Sequence, residues 1–201
     1  MLKRRDFITR SAASMAGAAL PTNVSSSESR GLEETGTCQH RRMPFDAVIV
    51  DARYSDSRRF AAVLQQQGAR IIDTREDLGL LWYGALGAAF RNGPQRIAGL
   101  TPHSDLFICD SFGREHGVRL IYEGAHDCRG EQVLSHALRL GAPLAGLAAE
   151  LQQARAHWPV RLAQRIDLAD RTALPSAREH VFTRTRRAAD HPGMLFSWAI
   201  A

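Results

Sequence analysis

A short, fully apolar run that ends in an aspartate constrains the fold of this chain more than any other feature. Residues 47–50 are all apolar, and Asp51 follows them directly. A continuous apolar run of this length is typical of a strand that is buried on both faces of a sheet. Ser57 then precedes a segment with helical apolar spacing that ends at Gly68, and residues 70–73 are predicted to form a second strand. Such a strand–helix–strand unit favours a right-handed crossover between parallel strands.

The same alternation of strand and helix continues along the chain. The spacing predicts a helix over 78–90, a short strand at 97–100, and a helix that opens with Thr101 and Pro102. A fourth strand is predicted at 118–122. We therefore expect an α/β fold: a three-layer sandwich with a mainly parallel sheet, of Rossmann-like or flavodoxin-like topology.

The pattern becomes looser beyond the fourth strand. Residues 131–140 and 144–157 are predicted to be helices, and 159–192 are rich in arginine and acidic residues with little apolar periodicity. We interpret 131–192 as a helical, polar excursion from the domain. The apolar segment 194–200 is predicted to add a final strand.

The N-terminus has the pattern of a bacterial export signal. Adjacent arginines are followed by Phe7-Ile8 and an uncharged run of small residues, which resembles the twin-arginine signal. We expect 1–30 to be the signal and cleavage region, 31–44 a linker, and 45–201 a single α/β domain. The translocation machinery would then deliver a folded protein to the periplasm, with no stable membrane span, because the run is too short and too polar for one.

The basic residues exclude several classes of function. Lys3 is the only lysine, so the mature domain has none to form a Schiff base with pyridoxal phosphate or to complete a P-loop. The first 30 residues, with five basic and two acidic side chains, contribute +3 of the formal charge of +5. The remaining +2 is too close to balance to indicate a nucleic-acid partner.

The turn after the first strand argues against two nucleotide or phosphate chemistries. Ligands of open α/β sheets bind at the carboxyl ends of the strands, which makes Asp51 and Arg53 candidate site residues. This turn contains no glycine, so a dinucleotide fingerprint is absent. Arg53 also stands where a haloacid-dehalogenase-type phosphatase requires a second aspartate.

The loop after the third strand is the strongest candidate for ligand binding. Gly99 permits close approach, and Thr101 and Ser104 offer donors beside a helix N-terminus, which favours an anion. Trp82 and Tyr83 offer aromatic area with a polar tip to a cleft, although their helical spacing with leucines favours core packing.

Two histidines are candidate general bases. His126 lies in 123–128, which we predict to be a loop, and His103 lies at the start of the helix after the third strand. Asp51 is the candidate carboxylate that would orient either base. The 123–128 segment also holds several metal-ligand types, but no second paired set accompanies them, so no metal is predicted.

The chain has three cysteines and is expected to enter an oxidising compartment. Cys38 and Cys128 lie in polar surroundings and are the predicted disulfide pair. Cys109 lies in an apolar helical stretch and is expected to be a buried thiol.

Three segments within 46–122 carry a resemblance to known proteins: 48–51, 81–83 and 97–103. They resemble a group of uncharacterised bacterial proteins of similar length that bear a twin-arginine signal. The resemblance implies export and a compact domain, and it implies no reaction.

Three functions remain open at this point. The first is a periplasmic α/β protein that binds a small anionic ligand or serves as an accessory to an exported redox enzyme. The second is a small hydrolase or transferase with a histidine base at the carboxyl edge of the sheet. The third is a structural subunit of a periplasmic complex. The residues identify no cofactor.

Overall fold

The computed structural model describes residues 44–75, 77–130, 132–170 and 175–201. Within these ranges the chain forms a seven-stranded mixed sheet flanked by helices, which confirms the α/β class. The predicted signal, the linker up to residue 43 and Cys38 lie outside the described residues. In the described ranges, none of the helices has both the length and the apolar character needed to cross a bilayer.

The first half of the domain follows the predicted order of elements, and the second half adds strands that were not predicted. The strands are β1 (Ala47–Val50), β2 (Arg70–Asp73), β3 (Ile97–Thr101), β4 (Leu120–Arg129), β5 (Val133–Leu140), β6 (Ala177–Arg184) and β7 (Met194–Ile200). The helices are α1 (Ser55–Gln66), α2 (Leu78–Leu81), α3 (Gly87–Asn92), α4 (His103–Glu115), α5 (Leu147–Ala154) and α6 (Trp158–Arg165), with a π-helical turn, Trp82–Leu86, between α2 and α3.

The sheet is mixed, not mainly parallel as predicted. Its strand order is β2-β1-β3-β7-β4-β5-β6. β1 pairs in parallel with β2 and β3, whereas the pairings of β7, β4, β5 and β6 are antiparallel. The parallel strands β1, β2 and β3 are joined by helical crossovers. Among the antiparallel pairs, β4 and β5 are joined by a short connection, whereas α5 and α6 lie between β5 and β6.

Two predictions for the second half were wrong. Residues 131–140, predicted as a helix, contain β5, and the supposed polar excursion contains α6 and β6. Leucine, alanine and arginine favour helices, yet burial alternates along β5, with Leu138 and Leu140 buried and Ala137 and Arg139 exposed. The partner strands therefore override the local helical preference.

Segment 123–128 was also predicted incorrectly. It is not a loop after the fourth strand, because β4 continues through it to Arg129 and pairs with both β5 and β7. His126 therefore lies inside the sheet.

The apolar core lies on both faces of β1. Val48 and Val50 belong to one cluster, which includes residues of α1, α5 and α6. Ala47 and Ile49 belong to a second cluster with Trp82 and residues of α4. Alternate residues of a strand point to opposite faces, so helices cover both faces of the sheet here.

Candidate functional site

The carboxyl ends of β1 and β3 bring five of the predicted residues to one edge of the sheet. Asp51 and Arg53 follow β1, Thr101 ends β3, and His103 and Ser104 begin α4. Since β1 lies between β2 and β3, this edge is a topological switch point, where α/β proteins commonly bind ligands.

Asp51 and Arg53 satisfy each other at this edge. The Asp51 carboxylate is completely buried and accepts hydrogen bonds from Arg53 Nε at 2.9 Å, Arg53 Nη2 at 2.6 Å and the Arg53 backbone N–H at 3.0 Å. This bidentate pair occupies both carboxylate oxygens. Asp51 therefore anchors Arg53 and has little capacity left to orient a base.

Thr101 and Gly99 serve the packing of Trp198. The Trp198 indole N–H donates to the Thr101 hydroxyl at 3.1 Å, and that hydroxyl donates to the Pro102 carbonyl at 3.1 Å. A Cβ on Gly99 would lie 2.3 Å from the Trp198 ring. The glycine thus makes room for an indole ring that lies within the core.

The remaining residues predicted at the sheet edge make local contacts. The His103 ring lies edge-on to Phe196 with 4.9 Å between ring centroids, and the exposed Ser104 hydroxyl donates to Asp105 at 3.3 Å. In the second cluster, Trp82 is 1% exposed and stacks on Phe90 at 5.3 Å. Trp82 is therefore a core residue.

Tyr83 and Cys109 occupy opposite environments. Tyr83 is 74% exposed and makes an edge contact with Phe112 at 5.3 Å. Cys109 is buried, as predicted, and burial raises the pKa of its thiol to about 12. Trp82 and Cys109 are thus core residues, whereas Tyr83 is a surface residue.

His126 belongs to a chain of polar side chains inside the core. The Tyr122 and Ser197 hydroxyls lie 2.9 Å apart, Ser197 Oγ is 2.7 Å from His126 Nε2, and His126 Nδ1 is 2.7 Å from His136 Nδ1. All four residues are buried. Burial, followed by the neighbouring His136, holds the pKa of His126 well below its usual value, and burial lowers the pKa of His136 to about 4. An enclosed neutral imidazole is poorly placed to act as a general base on a dissolved substrate.

The hydrogen bonds of this chain of side chains can run in either direction. If Tyr122 donates to Ser197, Ser197 donates to His126 Nε2 and His126 Nδ1–H donates to His136 Nδ1, so that His136 Nε2–H has no partner among the described residues. In the opposite direction His136 Nδ1–H donates to His126, and the Tyr122 hydroxyl at the other end has no acceptor. Each direction therefore leaves one buried donor unpaired at one end of the chain of side chains.

A cleft of about 160 Å³ lies beside this core and was not predicted. It is lined by Asp56 and Arg59 of α1, by Cys128 of β4, by Trp158 at the start of α6, and by the loop 185–193. We call it the α1–loop cleft. Trp158 is 2% exposed and separates the cleft from the buried histidines, with its ring 4.3 Å from that of His126.

Hydrogen bonds to two elements hold the loop 185–193 in place. The Asp190 carboxylate accepts hydrogen bonds from the Ser55 backbone N–H and hydroxyl, each at 2.7 Å, and thereby caps the first turn of α1. At the end of the loop, the backbone N–H of Cys128 in β4 donates to the Gly193 carbonyl at 2.8 Å. Gly193 has a φ of +95°, a conformation that favours glycine.

Asp56 brings a carboxyl group to the cleft that accepts no hydrogen bond from the described residues. It is 5% exposed, and its nearest cation among the described residues is Arg59, whose Nη1 lies 4.0 Å from Oδ1. Within the described ranges its carboxylate accepts no hydrogen bond. Burial raises the pKa of Asp56 to about 6, although a helix N-terminus normally favours the charged carboxylate.

His191 brings an unsatisfied donor to the same cleft. Its Nδ1 accepts a hydrogen bond from the Gly193 backbone N–H at 3.1 Å, so the neutral ring carries its proton on Nε2. Nε2 is buried and has no partner among the described residues. Burial, and then the charge of Arg187, lowers the pKa of His191 to about 4, which keeps the ring neutral at neutral pH.

Positive charge surrounds the opening, while the thiol inside is inert. Arg59, Arg186 and Arg187 line the cleft and are all exposed. Cys128 is a free thiol whose pKa burial raises to about 11, so it is not a thiolate at neutral pH. Its predicted partner Cys38 lies outside the described residues, and their pairing stays a prediction.

Among the residues that the structure describes, no three histidine, cysteine, aspartate or glutamate side chains are placed to hold a metal ion. The α1–loop cleft itself presents groups that can donate and accept hydrogen bonds and that can pair charges with a small ligand.

The sequence contained only a weak signal for this cleft. Arg186, Arg187 and His191 occur within six residues, but they lie in the segment we interpreted as a polar excursion. In the sequence, Asp56 has only the pattern of an ordinary residue in the first turn of a helix.

No protein-family model matches the chain, and comparisons with curated proteins and with solved structures find no similar protein.

Proposed function

We propose that this protein binds a small oxyanion in the α1–loop cleft. The observation that carries the proposal is the combination of a buried donor at His191 Nε2, which has no partner among the described residues, with three arginines around the opening. Buried polar groups in native proteins nearly always have a partner, and a donor without one calls for an acceptor. An oxyanion supplies acceptors and complements the arginines.

The size of the cleft supports a small ligand. Pockets for drug-sized molecules are typically about 300 Å³ or larger, whereas this cleft measures about 160 Å³. A tetrahedral or planar oxyanion fits such a space. The enclosed position of His126 favours binding over the hydrolase alternative, because that ring lies behind Trp158 and out of reach of a ligand in the cleft.

Isothermal titration calorimetry with inorganic phosphate, sulfate and acetate tests the proposal. We expect at least one of these anions to bind, and Arg187→Ala to weaken that binding by about tenfold or more, since a charge-assisted hydrogen bond is lost. Arg70→Ala is the matched control. Arg70 is also exposed, but it begins the edge strand β2 and does not line the cleft.

Two results would overturn the proposal. The first is that none of the three anions binds to the folded protein. The second is that an anion binds but Arg187→Ala and Arg70→Ala weaken it equally, which would mean that general positive charge, and not the cleft, attracts it.

We also propose that the cleft works in the periplasm. The support is the arginine pair and the small, uncharged run near the N-terminus, which resemble a twin-arginine signal. Cell fractionation of the native host tests this: a shortened protein in the periplasm is expected, and an uncleaved protein found only in the cytosol would contradict it. A second chain that copurifies in stoichiometric amount would identify an accessory role.

A further inference from the structure

We infer that the α1–loop cleft selects an oxyanion that still carries a proton, such as hydrogen phosphate, over one that carries none, such as sulfate. This inference rests on the proposed oxyanion binding and adds the chemical class of the ligand. It follows from two groups that line one small cleft: a carboxylate that accepts no hydrogen bond from the described residues, and a buried donor that has no partner among them.

The acceptor is the Asp56 carboxylate. It is 95% removed from solvent and accepts no hydrogen bond within the described residues. A fully deprotonated anion offers only oxygen lone pairs, so beside Asp56 it would place two acceptors and two negative charges together. A ligand with an O–H group would instead donate to this carboxylate and satisfy it.

The donors of the cleft can bind the remaining oxygens of the same ligand. His191 Nε2–H is buried without a partner, and Arg59, Arg186 and Arg187 supply further N–H groups at the opening. A ligand such as hydrogen phosphate has one O–H to give and several oxygens to receive. It therefore complements both the Asp56 carboxylate and the N–H donors of the cleft.

The groups that face Asp56 decide its charge when a ligand binds. On α1 the cation is Arg59, which favours the carboxylate, and from the loop Asp190 disfavours it. Cys128 of β4 also lines the cleft but is an uncharged thiol, and His191 and the loop arginines complete the lining. Asp56 is thus mainly ionised at neutral pH and can accept a proton on mild acidification.

The first test compares inorganic phosphate with sulfate by calorimetry at about pH 8, where Asp56 is ionised. We expect phosphate to bind at least about tenfold more tightly than sulfate. If sulfate binds as tightly as phosphate, the inference is overturned while the proposed function stands. If neither anion binds, both are overturned.

The second test replaces the acceptor by a donor. In Asp56→Asn the side chain keeps its shape but offers an N–H, so sulfate binding should strengthen by about tenfold and the preference for phosphate should disappear. Asp110→Asn is the control. It replaces a carboxylate of α4 that pairs with Arg114 away from the cleft, and it is expected to leave the preference for phosphate unchanged. Retention of the wild-type preference in a folded Asp56→Asn protein would overturn the inference.

The third test needs no variant. At about pH 5 Asp56 is protonated and its O–H can donate to a fully deprotonated anion. Sulfate binding by the wild-type protein should therefore strengthen by about tenfold between about pH 8 and pH 5 and follow a single protonation. Sulfate affinity that does not change over this range would overturn the inference even if Asp56→Asn failed to fold.

Discussion

Ser197 is the residue on which the buried polar chain depends, because it is the link between Tyr122 and His126. Its hydroxyl lies 2.9 Å from the first and 2.7 Å from the second, and it is completely buried. Ser197→Ala should therefore lower the free energy of unfolding by about 1 to 3 kcal/mol, since two buried polar groups lose their partner. Urea unfolding measures this loss.

Tyr122→Phe compares the end of this hydrogen-bonded chain with its middle. Tyr122 has one partner in it and Ser197 has two, so the loss of the Tyr122 hydroxyl should cost less, about 1 kcal/mol. Ser104→Ala, at an exposed hydroxyl, should change stability by about 0.5 kcal/mol or less. A larger loss from Tyr122→Phe than from Ser197→Ala would contradict the central position of Ser197.

At the scale of elements, docking of the loop 185–193 depends on a cap supplied from far along the chain. The residue before α1, Tyr54, provides no side-chain cap, and Asp190 takes over that role for Ser55. Asp190→Ala should lower the free energy of unfolding by about 1 to 2 kcal/mol, the usual range for a lost N-cap. It should also speed hydrogen exchange at the Ser55 amide, because that N–H loses its acceptor.

A matched aspartate separates the cap from a general charge effect. Asp110 of α4 pairs with Arg114 at 2.6 Å on an exposed helix face, where such pairs contribute about 0.3 to 0.5 kcal/mol. Asp110→Ala should therefore cost much less than Asp190→Ala and leave exchange at Ser55 unchanged. Equal effects of the two variants would contradict the capping role.

Local patterns in the sequence were sufficient for the elements whose environment they encode. The strands near 47–50, 70–73 and 97–100 were predicted because a strand buried on both faces is apolar throughout. β5 was missed because its leucines, alanine and arginine prefer a helix, and only pairing with β4 and β6 makes it a strand. His136 also interrupts the apolar alternation of β5, because a histidine occupies one of its core positions.

The candidate site was less predictable than the fold. The ends of the predicted strands indicated that Asp51, Arg53 and residues 101–104 lie near one another, because the carboxyl ends of parallel strands meet at the same edge of a sheet. The α1–loop cleft was not predicted, because its lining comes from five separate segments of the chain: α1, β4, β5, the start of α6 and the loop 185–193. Whether Asp56 is exposed or buried depends on where the loop 185–193 lies, and no local pattern contains that information.

For the whole molecule, the buried histidines make stability depend on pH. His126, His136 and His191 all have pKa values lowered by burial, two of them to about 4. In the unfolded chain they titrate near 6.5, so between about pH 6.5 and pH 4 the unfolded state binds more protons than the folded state. Their contribution to stability is therefore present at neutral pH and is lost as the pH falls through this window.

Two carboxyl groups oppose this trend, which fixes the net slope. Burial raises the pKa of Asp56, to about 6, and that of Asp105, so these groups take up protons earlier in the folded state and favour it on acidification. Three histidines against at most two aspartates leave an excess of at least one proton, which corresponds to a loss of roughly 1 kcal/mol per pH unit or more.

Urea unfolding at a series of pH values measures this slope, and His136→Gln shows where it comes from. The variant removes one buried group that cannot be protonated in the fold, so it should reduce the loss by roughly 1 kcal/mol per pH unit, even though the protein is less stable at neutral pH. His157→Gln is the control, since this exposed histidine precedes α6 and its replacement should leave the slope unchanged. Wild-type stability that stays constant from about pH 7 to pH 5 would mean that the histidines accept protons in the folded state, and so that water reaches the interior which Trp158 encloses.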